Sequence, residues 1–370
     1  MNLEIEDKIN NLRRKLKRPF ISNGSIYSAI SFLSGFYGNN IAVERGEFNV
    51  TYNELISNAI IMSKSLEELG VNNGNVVAVC MNNYYQVLPI FLAANRLGAI
   101  VLLIPDGLSL TKMEECLNEL EVDVLFNYGI DRNVSKEIRK KTKVRQVITL
   151  QEEDLEIKQV SKNQGCVYSY ADILSYSEFL QIADFRVNDF DIKKNMGRNI
   201  WDAVMFLDRD NSWKIISFTN KNIIKNAISL DEILKLNKEK SERVGVPFSY
   251  PLGFNVSTLS PLLEGRKVEL GSWEEKDNLF VKIENIIVDS ISNAELDYDT
   301  LGVLCQLGSD DDSLKEGKSF KHSNGLVYFK TDTWGKISKE GDLTIIEYDE
   351  SDNLVIKKEN NKGRSRTLKK

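Results

Sequence analysis

Between residues 76 and 127 the chain alternates short apolar runs with longer amphipathic ones, and this alternation constrains the fold more than any other feature. Val76–Cys80, Ile100–Ile104 and residues 122–127 read as buried strands, and residues 84–97 and 110–120 read as the helices between them. A strand that is apolar on both sides has to be covered on both sides. A helix placed between two such strands brings the chain back parallel. The pattern therefore predicts right-handed βαβ units on a mainly parallel sheet. Gly98 and the turn Pro105-Asp106-Gly107 punctuate it.

The flanks extend the α/β reading. Residues 4–18 carry Ile5, Ile9, Leu12 and Leu16 at helical spacing and end in a basic run, as an amphipathic helix with a solvated end would. Residues 25–36 give a second helix, expected to stop near Gly35. A short strand at 41–43 and a turn at 46–48 follow, and Val50-Thr51-Tyr52 opens the next helix. Thr51 with Glu54 three residues on is a capping box, Leu55, Ala59, Met62 and Leu66 form the apolar stripe, and Gly70 is the stop. Downstream, residues 144–149 read as a strand, 151–165 as a polar loop, and Tyr170-Ala171-Asp172 as the start of a helix containing Leu174, Phe179 and Leu180. Strands are expected at 204–207 and 215–218, a helix at 220–236, a strand at 243–246, a helical or irregular run at 251–263 and a strand at 268–270. Beyond them, short strands at 303–307, 326–330, 343–348 and 354–357 between Gly, Asp and Asn turns suggest a small antiparallel or barrel-like subdomain. The expected organisation is a first α/β subdomain over 1–170, a second over 171–298, a small β subdomain over 299–358 and a disordered basic tail over 359–370.

Several function classes are disfavoured. A formal net charge of -6 over 370 residues argues against general nucleic-acid binding. No apolar run reaches the roughly eighteen residues that a membrane span needs; the longest candidate, residues 87–104, is interrupted by Asn95 and Arg96. The first residues are acidic and lack an apolar signal core, so a cytoplasmic protein is expected. Cys80, Cys116, Cys166 and Cys305 are far apart and read as reduced core thiols. His322 is the single histidine and sits in a polar run, so neither a histidine-based zinc site nor a Ser-His-Asp triad is expected.

Residues 41–128 resemble the N-terminal part of the adenylate-forming superfamily: acyl-CoA synthetases, luciferases and peptide-synthetase adenylation domains. The resemblance rests on VTYNELISNAIIMSKSLEELGVNNGNVVAVCMNN and FLAANRLGAIVLLIPDGLSLTKMEECLNELEVDVLF, in the family's order of a TY-x-EL helix, "LGV-x-x-GD-x-VA", "A-x-x-x-GA-x-x-x-P" and a helix leading to a strand. Here Gly74-Asn75 replaces Gly-Asp. Weaker likenesses lie in VGVPFSYPLGFNVSTLSPLLEGRKVEL, where Tyr250 stands near a position that borders the family's acyl pocket, and in GLVYFKTDTWGKISKEGDLTII. The latter resembles the segment whose TGD aspartate holds the ribose hydroxyls. Thr331, Asp332 and Thr333 stand there, with Asp332 at the glycine and Thr333 at the aspartate. A carboxylate accepts both hydroxyls, whereas a threonine offers one oxygen. A shift of one residue would bring Asp332 into place but reverses side-chain direction in an extended segment.

The family's phosphate loop reads Thr-Ser-Gly-Thr-Thr-Gly-x-Pro-Lys. An ungapped match places Phe206, Leu207, Asp208, Arg209, Asp210, Asn211, Ser212, Trp213 and Lys214 on it, with Thr219-Asn220 at the following Ser-His. Such a loop needs glycines so that backbone N–H groups can close on the anion. Neither glycine survives, and Asp208 and Asp210 repel a triphosphate. Arg209 and Lys214 are expected to pair with them. The sequence also lacks a "YG-x-TE" word, which in the family brings the magnesium glutamate and the adenine-stacking aromatic, and a convincing "GR-x-x-D-x-x-K" hinge. The mobile lid with its catalytic lysine is therefore expected to be missing. No metal site and no cofactor are expected.

The implied function is that of a pseudo-enzyme: an AMP-binding-like domain that does not adenylate by itself. It would act by binding an intact adenylating enzyme, an acyl or peptidyl carrier protein, or an acyl or aryl ligand in a residual pocket near Tyr250, Thr331, Asp332 and Thr333. A structural oligomer is a further possibility. The alternative is an acyl- or amino-acid-activating ligase, or an acyltransferase, with altered residues; only the ligase would use ATP and magnesium. Neither reading involves nucleic acid or membrane.

Overall fold

The apolar runs become strands in a computed structural model. It describes residues 21, 24–81, 84–105, 108–156, 173–183, 202–207, 215–234, 242–243, 248–249, 251–270, 285–288, 296, 300–307, 319–321, 327–337, 343–348, 354–360 and 364–368. The chain is α/β and divides into two compact units: Met1–Glu242 with Phe248–Leu270, and Arg243–Pro247 with Gly271–Lys370.

The first unit is built on a seven-stranded sheet. Its strands are β3 (Val76–Cys80), β4 (Ile100–Ile104), β5 (Val122–Tyr128), β6 (Gln146–Leu150), β7 (Ile173–Ser175), β8 (Asp202–Leu207) and β9 (Ile215–Thr219), in the order β7-β6-β5-β3-β4-β8-β9. All neighbours are parallel except β8 and β9. The helices are α1 (Ile26–Tyr37), α2 (Tyr52–Glu68), α3 (Val87–Leu97), α4 (Leu110–Glu119), α5 (Arg132–Lys141), α6 (Tyr176–Gln181) and α7 (Asn220–Leu234). On one face of the sheet Ala78, Leu102, Leu125 and Val147 pack with Met113 and Leu117 of α4 and Ile138 of α5. The alternate residues Val77, Val79, Val101, Leu103 and Phe126 are buried as well, so the sheet is covered on both faces, as its unbroken apolar strands require.

The TY-x-EL word acts by capping and clamping. Thr51 caps α2: its hydroxyl accepts from Glu54 N, while Glu54 Oε2 accepts from Thr51 N at 2.7 Å. The buried Tyr52 donates its hydroxyl to the carbonyls of Leu262 (3.0 Å) and Arg266 (2.8 Å), joining α2 to the distant end of the unit. A four-stranded sheet, β10 (Glu242–Arg243), β11 (Val268–Glu269), β1 (Ile41–Arg45) and β2 (Phe48–Thr51), lies in that order, with β1 parallel to β11 and antiparallel to β2.

The second unit holds β12 (Asn285–Val288), β13 (Gly302–Leu307), β14 (Ser319–Lys321), β15 (Val327–Ile337), β16 (Leu343–Tyr348), β17 (Leu354–Asn360) and β18 (Arg364–Leu368). They form an antiparallel sheet ordered β12-β13-β15-β16-β17-β18, with β14 on β15.

Several details differ from the sequence expectations. Strands on either side of residue 170 share one sheet, and the two compact units divide around residues 242–271. The tail, expected to be disordered over 359–370, contains β18, whose backbone pairs with β17 from Ile356↔Leu368 to Asn360↔Arg364. Backbone pairing in a hairpin does not require the apolar side chains whose scarcity suggested disorder. The helix containing Leu174 begins only at Tyr176, because Ser175 and Glu178 form a capping box there and Ile173–Ser175 has joined the sheet. Helix α1 runs past Gly35 to Tyr37. Helix α5 was not anticipated: only Ser135 and Ile138 of its ten residues are buried, so it has no apolar stripe to read. Residues 4–18, His322 and Cys166 lie outside the described residues. Cys80, Cys116 and Cys305 are buried, and burial pushes the Cys116 thiol up to about 11.

Candidate functional site

The position corresponding to the phosphate loop is defined by the strands that flank it. β8 lies parallel to β4, with Val101↔Val204 and Leu103↔Phe206 in register, so it points the same way as the other parallel strands. β9 returns antiparallel, with Leu207↔Ile215 as the last pair of the ladder. The connection between them, Asp208 to Lys214, therefore leaves the carboxyl end of the sheet, where ligands of open α/β sheets bind. Asp208, Arg209, Asp210, Asn211, Ser212 and Lys214 themselves lie outside the described residues.

The base of this connection is aromatic. Phe206 is fully buried and packs against Phe218 of β9 (ring centroids 6.0 Å apart) and Phe254 (6.1 Å). Phe254 in turn meets Phe91 of α3 at 4.8 Å and Phe248 at 6.4 Å. Tyr250 stands between Ser249 and Pro251, next to this cluster in sequence, and lies outside the described residues. After it come two short helices, α8 (Pro251–Phe254) and α9 (Ser260–Leu263), separated by a π-helical turn at Asn255–Leu259. Asn255, Thr258 and Ser260 are buried in this run. π-turns of this kind often mark functional sites.

Sequence reasoning missed a buried polar network at the far end of β9, where the strand meets α7. Thr219 caps α7, accepting from Asn222 N at 3.2 Å. The next residue, Asn220, reaches back: its Oδ1 accepts from Ile26 N (3.0 Å) and from Asn95 Nδ2 (2.9 Å). Asn95 Oδ1 accepts from Tyr27 N at 2.9 Å. Beside it, the buried Arg96 donates to Ser63 Oγ at 2.6 Å and lies over the Tyr27 ring, 5.7 Å from its centroid. The signal was in the sequence: Asn95 and Arg96 are the polar interruption of the apolar run at 87–104. Buried polar groups persist when they are hydrogen-bonded.

Thr331, Asp332 and Thr333 lie in β15, in the second unit. Here the ladder is irregular. Val303 pairs with Trp334 but Cys305 pairs with Lys330, so the three residues 331–333 oppose the single residue Leu304. This is a bulge, and it breaks the strict alternation of an extended strand.

Burial raises the pKa of Tyr52, Tyr85 and Tyr176, and it raises that of Asp154. Among the described residues, no group of three His, Cys, Asp or Glu side chains is placed to hold a metal ion, and no helix is long and apolar enough to cross a membrane.

Comparison with known proteins agrees with this architecture. Residues 35–178 match the family model described as AMP-binding enzyme. No curated protein matches the sequence. In structure, the chain is similar to a long-chain-fatty-acid-CoA ligase (FadD1) from Archaeoglobus fulgidus, with TM-score 0.54 and 13% identity over 86% of this chain and 83% of that one. It is similar to MatB from Rhodopseudomonas palustris, with TM-score 0.53 and 13% identity over 88% of this chain and 78% of that one. For MbtA from Mycobacterium smegmatis the TM-score is 0.53 and the identity 17%, over 67% of this chain but only 44% of that one. Identities this low show the fold alone. Residues 35–178 match that family model, and the fold of the chain matches the N-terminal core of adenylate-forming enzymes.

Proposed function

We propose that this chain is a degenerate adenylate-forming domain that does not activate an acid by itself and acts by binding. Its partner would be an intact adenylating enzyme or an acyl or peptidyl carrier protein; its small ligand, an acyl or aryl group near Tyr250. One observation carries the reading. The connection that leaves the sheet between Leu207 and Ile215 has the sequence DRDNSWK, without glycine and with two aspartates. Phosphate binding at such a turn depends on N–H groups converging on the anion and on the absence of negative charge beside it. Electrostatic positioning of the triphosphate is most of what adenylation requires, so its loss removes most of the rate. By the same reading the protein uses neither ATP nor magnesium and works in the cytoplasm, within a biosynthetic pathway.

A second reading, an acyl-activating ligase with altered residues, is favoured by the bulge at 331–333. The objection to Asp332 as the ribose ligand was that a one-residue shift reverses its direction, and a bulge is the feature that relaxes alternation. A thermal-shift titration with ATP, magnesium and AMP at millimolar concentrations separates the two. A ligand at one hundred times its Kd adds about 2.7 kcal/mol to the folded state. No shift is expected. A clear shift overturns the binding-only reading and directs assay to acid activation.

A further inference from the structure

We infer that Asn220 and Asn95 form a clasp by which the first turn of α1 holds the corner between β9 and α7. The first N–H groups of a helix have no partner inside it. In α1 each finds a side chain, and these come from different parts of the unit. Ser28 N donates to Ser25 Oγ at 3.1 Å, Tyr27 N to Asn95 at the end of α3, and Ile26 N to Asn220 at the start of α7. Asn95 closes the ring by donating to the same Asn220 oxygen. Asn95 is 3% exposed and Asn220 7%, so water does not readily replace either partner. Arg96, over the Tyr27 ring and bonded to Ser63, fixes the same turn from the side of α2.

The consequence is mechanical. β9 has five residues, and among the described residues its only strand neighbour is β8, at the edge of the sheet. Its far end runs directly into Thr219 and Asn220. Besides the β8 ladder and the packing of Phe218, this corner is what holds the end of the strand, and opening it weakens that end. Opening the first turn of α1 therefore releases β9, although α1 lies nearly two hundred residues earlier (|i−j| = 194 for Ile26 and Asn220). Anything that binds or displaces the start of α1 is thereby linked to β9.

Hydrogen exchange on the whole chain tests this. Asn220→Ala removes the acceptor of two bonds and leaves the Ile26 N–H buried. Exchange in residues 215–222 is expected to rise at least about fivefold, as for a lost buried hydrogen bond, with β3 at 76–80 as the unchanged reference. Amides of residues 26–28 rise together with them. Asn220→Asp keeps both acceptor positions at a helix N-terminus, where negative charge is favoured, and is expected to exchange like the parent. Should Asn220→Ala not fold, Asn95→Asp, which keeps the Tyr27 acceptor and turns the donor facing Asn220 into a repelling acceptor, is read instead, with the same pattern expected. Equal acceleration of β3 and β9, or acceleration at 26–28 with 215–222 unchanged, overturns the clasp.

Discussion

The Thr51–Tyr52–Glu54 corner and the β8–β9 corner lie in one unit: at the first a strand hands over to a helix, at the second one strand hands over to the next. The first keeps the family's residues and uses them fully. Thr51 and Glu54 satisfy each other's N–H groups, and Tyr52 ties α2 to Leu262 and Arg266. The second keeps its framework, a strand pair in register from Asp202↔Thr219 to Leu207↔Ile215, but has exchanged the residues of its connection for DRDNSWK. On the proposed reading, residues that stabilise the fold are retained where residues that would serve phosphate binding differ.

The comparison is broken most severely by damaging the framework of the second corner. Phe206→Ala removes a fully buried ring from contact with Phe218 and Phe254. The expected cost is about 3–5 kcal/mol, read as the fall in unfolding free energy in urea. A cost near that of a surface substitution would mean that the β8–β9 pair is dispensable.

Tyr52→Phe probes the first corner with a smaller change. It keeps the ring and removes one hydroxyl, leaving the Leu262 and Arg266 carbonyls without that donor. The expected loss is about 1–3 kcal/mol by denaturant unfolding. Burial already holds the hydroxyl neutral, its pKa raised well above 10.0, so the loss is the same at pH 6 and pH 9. A pH-dependent loss over that range would contradict this.

How legible these corners were in the sequence follows from the range of the interactions involved. The capping box at Thr51 and the strands β3 to β5 depend on residues near each other in the chain, and apolar periodicity and a three-residue spacing suffice to find them. Tyr52 was recognised only as part of a family word, because its partners are more than two hundred residues away. Asn95 was seen as an interruption of an apolar run, yet its partner Asn220 lies 125 residues on. Helix α5 was invisible for the opposite reason: RNVSKEIRKK buries so little that its pattern is that of a loop. The bulge in β15 was anticipated only as a question of register, since pairing with β13 decides it and no residue between 327 and 337 declares it.

A capping box that resemblance did not supply gives a gentler test. Glu178 accepts from Ser175 N at 2.7 Å and from Ser175 Oγ at 2.9 Å, and these bonds, the backbone one foremost, lower its pKa below 4.5. Its contribution is whole above the ordinary glutamate value and disappears as pH falls through the lowered one. Glu178→Gln is expected to cost about 0.3–1 kcal/mol at pH 7 and progressively less at more acid pH. A difference between parent and variant that grows on acidification would reverse the sign and refute the assignment.

The smallest expected effect on stability is also the sharpest test of the comparison. If Asp208 and Asp210 hold no structural duty, replacing both with glycine shifts the unfolding free energy by no more than about 0.5 kcal/mol, as surface substitutions do. The same change removes two negative charges and gives the connection backbone freedom at two positions. ATP is then expected to raise the melting temperature of the double variant more than that of the parent, with the increment falling as salt is added. Should the glycines destabilise the chain by several kcal/mol, the aspartates would belong to the framework, and the contrast between a retained scaffold and a surrendered site would fail at the residues on which it rests.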